Sequence, residues 1–267
     1  MQLPDLTPQA TWSVCVRDAE TSTVLAGHEL DAVLRTASVG KLFLLVEVAA
    51  QAEAGTVDLD EDLSWTDDDL VADSGLWYLM RRRSFAVDDL CWLIGGVSDN
   101  LATNVLVRHV GIDAVRIRTQ ALGFERSALL DRVRDERGPE DPETLSKGSA
   151  GELSDLMARL RRGEIVSPAV SGRVLRWVAA NTDLTMTAAA FGLDPLAHAD
   201  PDRGIALVNK TGTISTARAD VGVVTGDGTA VAYAVLASWD EGPDPRDQVL
   251  ADMAAIGRAI RTHVTGP

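Results

Sequence analysis

Ser38 and Lys41 place a hydroxyl and an amine three residues apart, at the predicted start of a helix. One helical turn separates them, so both side chains would lie on the same helix face. A serine hydroxyl becomes an effective nucleophile when a neighbouring group takes its proton and the site stabilises the negative charge that develops. The pair therefore suggests covalent catalysis. A serine cap followed by a surface lysine is the alternative, and it is the commoner meaning of an isolated S-x-x-K.

Two further tripeptides carry polar groups of the same kind. Ser98-Asp99-Asn100 follows the apolar stretch 93–97, where it could simply cap a helix. Lys210-Thr211-Gly212 ends the predicted strand 205–209, where it could be an edge charge and a turn. From average residue frequencies, each tripeptide should occur by chance with a probability of roughly a few per cent, and all three in this order in roughly one chain in a thousand or fewer. Their joint occurrence favours one shared site.

The use of lysine supports the same three motifs. Lys41, Lys147 and Lys210 are the only lysines, against 22 arginines. An amine can lose its proton at accessible pH, whereas a guanidinium cannot. We therefore expect a titratable amine at Lys41 and a compact cation at Lys210, while Lys147 has no predicted role and should be replaceable by arginine.

Composition excludes several classes of protein. The chain has 267 residues, a formal charge of -15 and 46% hydrophobic residues, which fits a globular domain and disfavours nucleic-acid and anionic-membrane partners. Its longest apolar runs, 42–50 and 230–237, fall short of the roughly 20 residues of a membrane-spanning helix. The first residues lack a secretory signal, so we expect a cytoplasmic protein, or an exported one if a leader was removed. We expect no metal or cofactor, because the four histidines lack ligand spacing.

The elements that must position the motifs follow from periodicity. Residues 11–18 alternate as a strand, residues 23–27 form its return strand, and a helix is predicted from Lys41 to Ala54. The stretch from Glu125 to Ser149 is long, charged and without a period. Further helices are predicted at Val87–Ile94, Leu101–Val110, Asp113–Leu122, Gly151–Arg162 and Pro168–Ala180.

Strands return near the C-terminus. They are predicted at Ile205–Asn209, Asp220–Thr225 and Ala230–Trp239, before a final helix at Pro245–His263. The last two strands are joined by Gly226-Asp227-Gly228, which predicts a hairpin turn. This order predicts an α+β fold, an α/β sandwich in which the terminal segments share one antiparallel sheet and an all-helical subdomain is inserted between them. The chain would be a single domain, 1–267. Its sheet-containing half would be residues 1–36 and 203–267, and its helical half residues 37–202.

The three motifs match, in chain order, the signatures of the class A β-lactamases and their penicillin-binding relatives. The chain resembles this family over nearly its whole length, because the order of strands and helices also agrees. The resemblance implies that Ser38 is the acylated nucleophile and that Lys41 accepts or relays its proton. Ser98 would pass a proton to the leaving nitrogen, and Asn100 would hold the substrate amide.

The resemblance also implies how the substrate is held. Lys210, Thr211 and the adjoining Gly212 would bind its carboxylate, with Arg218 as a further partner whose offset from the lysine is not the commonest in the family. The backbone amides of the nucleophile and of Thr213 would form the oxyanion hole. The implied substrate is a small molecule, a β-lactam or a related carboxylate-bearing amide or ester.

The resemblance predicts a serine hydrolase of the class A β-lactamase type that hydrolyses its acyl-enzyme. Two alternatives stay open. One is an intracellular esterase or peptidase that acts on a metabolite. The other is a penicillin-binding protein that acylates without efficient turnover.

Two positions depart from the family pattern. Class A β-lactamases carry a loop arginine followed two residues later by a glutamate that activates the deacylating water. If Arg132 is that arginine, Arg134 occupies the glutamate position, and Asp135 or Glu136 would have to supply the base after a shift. This predicts acylation with slow deacylation. In addition, the partner of Cys91 in the disulfide of some exported relatives is replaced by Leu45, so that bridge cannot form.

Overall fold

A five-stranded antiparallel sheet joins the two ends of the chain. The computed structural model describes residues 1–198, 200–242 and 244–266. The strands are, in chain order, β1 (Thr11–Asp18), β2 (Val24–His28), β3 (Val33–Arg35), β4 (Asp62–Ser64), β5 (Ser84–Ala86), β6 (Ala128–Leu129), β7 (Ser146–Ser149), β8 (Ala206–Ile214), β9 (Ala217–Gly226) and β10 (Thr229–Ser238). The large sheet has the order β2-β1-β10-β9-β8, so the first long strand pairs with the last.

The β9–β10 connection shows how the sequence sets this register. Thr229 pairs with Gly226, which leaves a turn of two residues, Asp227 and Gly228. Both have positive φ, 43° and 80°, as a type I′ hairpin turn requires. Glycine adopts that conformation freely and aspartate tolerates it, so the predicted hairpin is confirmed.

Helices cover both faces of the sheet. They are α1 (Lys41–Glu53), α2 (Val87–Val97), α3 (Asn100–Val110), α4 (Ile112–Ala121), α5 (Ala150–Arg162), α6 (Pro168–Val178) and α7 (Arg246–Thr265). One apolar core packs the sheet face that bears Val221 and Ala232 against α1 to α6. A second core packs Val14 and Val235 against Met253 and Ile256 of α7. The predicted α/β sandwich with an inserted helical block is confirmed.

Helix α1 is the centre of the helical block. Residues Lys41 to Ala50 are all buried, and the helix packs against α3, α4 and α6. A helix that is apolar on every side belongs in a core, because no face of it gains from contact with water. Its first residue, Lys41, is therefore carried into the interior by its neighbours.

Two predictions, the end of one strand and the irregularity of one stretch, are wrong. Lys210-Thr211-Gly212 lies inside β8, which continues to Ile214, because its backbone pairs with Val221 to Ala219 of β9. The ladder overrides the tendency of glycine to end a strand. The stretch 125–149 is not wholly irregular either, since β6 and β7 pair in it and β7 also pairs with β3.

Cys15 and Cys91 are buried free thiols. None of the helices in the described residues has the length and apolar character needed to cross a bilayer. The division of the chain into halves at residues 36 and 202 stays a prediction.

Candidate active site

A cavity of about 650 Å³ brings the three motifs together. Its lining includes Ser38 of the first motif, Ser98 and Asn100 of the second, Thr211 of the third and the neighbouring Thr213. They come from positions separated by up to 175 residues of chain, and the fold alone makes them neighbours. The structure therefore brings residues of all three motifs to one cavity.

Ser38 lies in a tight turn directly before α1. The turn spans Ala37–Gly40, and Ala37 has a φ of 47°, a left-handed conformation that a residue with a side chain rarely adopts. Ser146 holds this turn, because its Oγ donates to the carbonyl of Ala37 at 2.5 Å. Local strain of this kind persists only where the surroundings impose it, and it often marks a reactive residue.

Gly212 fits β8 against that same turn. A Cβ at this position would lie 2.1 Å from the carbonyl oxygen of Thr36 and 3.0 Å from the backbone nitrogen of Ser38. No side chain fits in that space. The structure therefore gives Gly212 a packing role, the close approach of strand and turn, beside the carboxylate-binding role that the motif implies.

Lys41 is fully buried beneath the cavity, with 0% of its surface exposed. Its Nζ donates to the carbonyl of Ser98 and to Oδ1 of Asn100, both at 2.7 Å, and lies 3.4 Å from Ser98 Oγ. Burial and the charge of Lys210 hold the pKa of this amine well below its usual value. A neutral amine has two hydrogens and one lone pair. The two 2.7 Å acceptors use the hydrogens, and the lone pair stays available to take a proton.

Lys210 approaches the same serine from the sheet. Its Nζ donates to Ser98 Oγ and to the carbonyl of Thr211, each at 3.0 Å. Burial lowers the pKa of Lys210 to about 8, while the nearby carboxylates of Asp183 and Asp220 favour its charged form. The Ser98 hydroxyl therefore lies between two buried amines, which is an arrangement suited to moving a proton.

Asp99, the middle residue of its motif, is a structural carboxylate. Its Oδ1 accepts from the backbone nitrogen of Ala102 at 2.9 Å, which caps α3. Its Oδ2 accepts from the backbone nitrogens of Leu76 and Trp77 at 2.7 and 2.8 Å. The helix-cap alternative is thus correct for Asp99, while Ser98 and Asn100 on either side of it line the cavity.

Asn100 is held by the protein through each of its polar groups. Its Oδ1 accepts from Lys41, its Nδ2 donates to the carbonyl of Ala72 at 3.0 Å, and its backbone nitrogen donates to the carbonyl of Ser74 at 3.0 Å. One hydrogen of Nδ2 remains for a substrate carbonyl. Asn100 therefore joins the Lys41 amine to the segment between β4 and β5.

Arg218 is not among the described residues that line the cavity. The register places it opposite Thr213, so the short turn between β8 and β9 explains its unusual offset from Lys210. Its guanidinium, however, donates to the carbonyls of Ile214 and Ala217 and lies 5.7 Å from the Trp239 ring. In this conformation Arg218 stabilises the turn and does not reach the cavity.

The charged loop forms one wall of the cavity and is braced by ion pairs. Arg134 lines the cavity, and its guanidinium lies 2.7 Å from Asp131 and 3.1 Å from Asp141. Asp135 lines the cavity next to it, whereas Glu136 is exposed and is not among the lining residues described. The structure thus brings one of the two predicted substitute bases to the site and leaves the other outside.

Several residues that line the cavity were not predicted from the sequence. Asp73, Glu143 and Asp183 carry charge into the cavity, and Asn181 connects it to a buried chain of hydrogen bonds through Asn209. These residues share no motif or period, so nothing in the sequence marked them. In the described residues, no group of three or more His, Cys, Asp or Glu side chains is arranged to hold a metal ion.

Comparisons with known proteins point to one family. The family model described as "Beta-lactamase enzyme family" matches residues 5–264. A β-lactamase of Rhodobacter capsulatus is 25% identical over 240 residues, which is 87% of this chain and 76% of that protein.

Solved structures show the same fold. A β-lactamase from Sphaerobacter thermophilus superposes with a TM-score of 0.82 at 22% identity, over 96% of this chain and 91% of that one. PBP-A gives 0.81 at 22% identity over the same shares. An ancestral class A β-lactamase gives 0.78 at 23% identity, over 96% and 95% of the two chains. With its family model matched across nearly its whole length, the chain belongs to the β-lactamase enzyme family.

Proposed function

We propose that this chain is a serine hydrolase that is acylated at Ser38 by β-lactams or related carboxylate-bearing amides and esters. The observation that carries the proposal is the Ser98 hydroxyl, which lies 3.0 Å from the Lys210 amine and 3.4 Å from the Lys41 amine, in the cavity that Ser38 lines. A serine that opens a cyclic amide needs a base, a proton donor for the leaving nitrogen and a cation for the carboxylate. Ser98 lines this cavity, and the buried amines of Lys41 and Lys210 both lie within 3.4 Å of its hydroxyl, so all three kinds of group are present.

The chemical steps follow from the protonation states. Neutral Lys41 takes the proton of Ser38 as the serine oxygen attacks the substrate carbonyl carbon. The C–N bond then breaks, and the nitrogen takes the Ser98 proton, which Lys41 replaces across the 3.4 Å separation. The proton lost by Ser38 thus ends on the leaving nitrogen, and charged Lys210 holds the substrate carboxylate.

Hydrolysis of the acyl-enzyme should be slow. Arg134, which we align with the deacylating glutamate of class A enzymes, is a guanidinium bound by Asp131 and Asp141. A guanidinium keeps its proton and cannot activate water. Asp135 lines the cavity, but its side chain is exposed, and no hydrogen bond or ion pair in the described residues holds it in position to activate a water. This favours a protein that acylates readily and turns over slowly.

Mixing the protein with excess penicillin G and weighing it intact over time tests the proposal. We expect a one-to-one covalent complex that accumulates within the mixing period and decays slowly. Penicillin consumption without accumulation of the complex would show efficient hydrolysis and contradict slow deacylation. Small activated esters consumed faster than any penicillin would favour the metabolite esterase instead.

The pKa of about 8 at Lys210 predicts an alkaline loss of substrate binding. The amine is charged below that pH and neutral above it, so the second-order rate constant for acylation should fall by about tenfold per pH unit above pH 8. Lys210→Arg keeps its charge throughout, so its profile should lack this fall even if its rate is lower. A wild-type rate that stays constant or rises through the alkaline range would refute the assignment.

A further inference from the structure

Asp73 lines the cavity from the segment between β4 and β5 and has an unusual backbone conformation. Its φ is 76°, in the left-handed region that few residues with side chains adopt, although aspartate is among those that tolerate it. Such a conformation persists only where neighbouring contacts impose it. The direction of its Cα–Cβ bond is therefore set by the fold.

The contacts that impose it come from Asn100. The carbonyl before Asp73, that of Ala72, accepts from Asn100 Nδ2, and the carbonyl after it, that of Ser74, accepts from the Asn100 backbone nitrogen. Both bonds are 3.0 Å long. Asn100 also accepts from Lys41, so the segment that carries Asp73 is tied to the catalytic amine by one side chain.

The charge of Asp73 is uncompensated. Within the described residues, its carboxylate makes no ion pair or hydrogen bond. Of the arginines that line the cavity, Arg134 and Arg137 are paired with Asp131, and Arg35 donates to the carbonyl of Trp239. Asp73 is close enough to Lys41 for its charge to raise the pKa of that amine, against the effect of burial. An exposed, unpaired carboxylate that lines a substrate cavity can attract a cation of a bound molecule at no cost of breaking an existing pair.

The substrate cation that Asp73 would attract must differ from the substrate group that binds to the sheet side of the cavity. Lys210 and Thr211 lie on β8, and their positive and donor groups suit a carboxylate. Asp73 comes from a different segment and has the opposite charge. A molecule that binds both Lys210 and Asp73 therefore carries a carboxylate at one end and a positive charge at the other.

We propose that Asp73 is a specificity-determining residue, which selects substrates whose side arm, remote from the carboxylate, carries a positively charged group. The proposal rests on the proposed acylation at Ser38 and names its substrate class as zwitterionic amides or esters. Asp135 and Glu143, also on the cavity lining, add to the same negative field. Asp73 lies between the two backbone carbonyls that Asn100 binds.

Three penicillins that share one ring system and differ in their side chains test this proposal. Penicillin G has a neutral side chain, ampicillin carries an α-amino group and carbenicillin carries an α-carboxylate. Acylation rate constants would be measured at about pH 6.5, where an α-amino group is mostly protonated. In the wild type we expect ampicillin to react about three- to tenfold faster than penicillin G, and carbenicillin to react more slowly than both, as for a solvated charge pair.

Asp73→Asn removes the charge and keeps a residue that tolerates positive φ. The ratio of the ampicillin rate constant to the penicillin G rate constant should shrink to within about twofold, whatever the change in either rate alone. Asp89→Asn, an exposed carboxylate on α2 outside the cavity lining, should keep the wild-type ratios. An ampicillin preference that survives Asp73→Asn, or is absent from the wild type while penicillin G still acylates, overturns the role of Asp73 alone. No acylation by any penicillin overturns the proposed function and this inference with it.

Discussion

Lys41→Arg should lower the rate constant of acylation by about 10² to 10⁴-fold, the range over which a general base contributes. Arginine at this position carries a permanent positive charge and cannot lose its proton, so it cannot activate Ser38. Lys41 is fully buried, and burial favours its neutral form. The substitution therefore separates the need for a base from the need for a cation. The measurement is the rate of covalent penicillin addition at fixed pH.

Lys147→Arg is the matched control. Lys147 is exposed on β7, so the same chemical change there should leave the acylation rate within about twofold. Lys41→Met fills the buried volume without a charge and should be as slow as Lys41→Arg, even if the larger guanidinium disturbs packing. An acylation rate for either Lys41 variant within tenfold of the wild type would mean that another group is the base.

Asp99→Ala should lower the free energy of unfolding by about 3–5 kcal/mol. The buried carboxylate accepts from the backbone nitrogens of Leu76, Trp77 and Ala102, and the alanine variant leaves all three donors without a partner. Each unsatisfied buried donor costs about 1–3 kcal/mol, less what water recovers. Urea denaturation measures the change.

Asp89→Ala is the comparison for this prediction. Asp89 lies in the first turn of α2 and is exposed, so its loss should cost no more than about 0.5 kcal/mol. If Asp99→Ala proves equally mild, the carboxylate does not anchor the loop to α3. Catalytic loss in that variant would then have to come from displacement of Ser98 or Asn100.

The outline of the fold could be predicted from the sequence because its signals are local. The strand at 11–18 alternates in polarity, and the Asp227-Gly228 turn needs positive φ, so both were predicted at or near their observed bounds. The end of β8 was misplaced because glycine usually interrupts a strand, whereas here pairing with β9 continues past it. Long-range pairing decides such positions, and it leaves no local pattern.

The site was predictable only where motifs mark it. Ser38, Ser98 and Asn100 occur in recognisable tripeptides or spacings, and the cavity contains them all. Arg218 occupies the expected strand position, yet its guanidinium direction depends on carbonyls of a turn whose geometry the sequence does not reveal. Asp73 belongs to no motif. Its position depends on the hydrogen bonds that Asn100 makes to the two backbone carbonyls flanking it, and these contacts leave no local sequence pattern.

The central claim is that Ser38 is acylated. Incubation with penicillin G, acid quenching and intact mass measurement of wild type and Ser38→Ala tests it most directly. Ring opening adds the whole penicillin without loss of any atom, so the wild type should gain the mass of one penicillin molecule, on the peptide that contains Ser38. Ser38→Ala should gain none. A wild type that neither gains mass nor consumes penicillin, or an adduct that survives in Ser38→Ala, would contradict the claim.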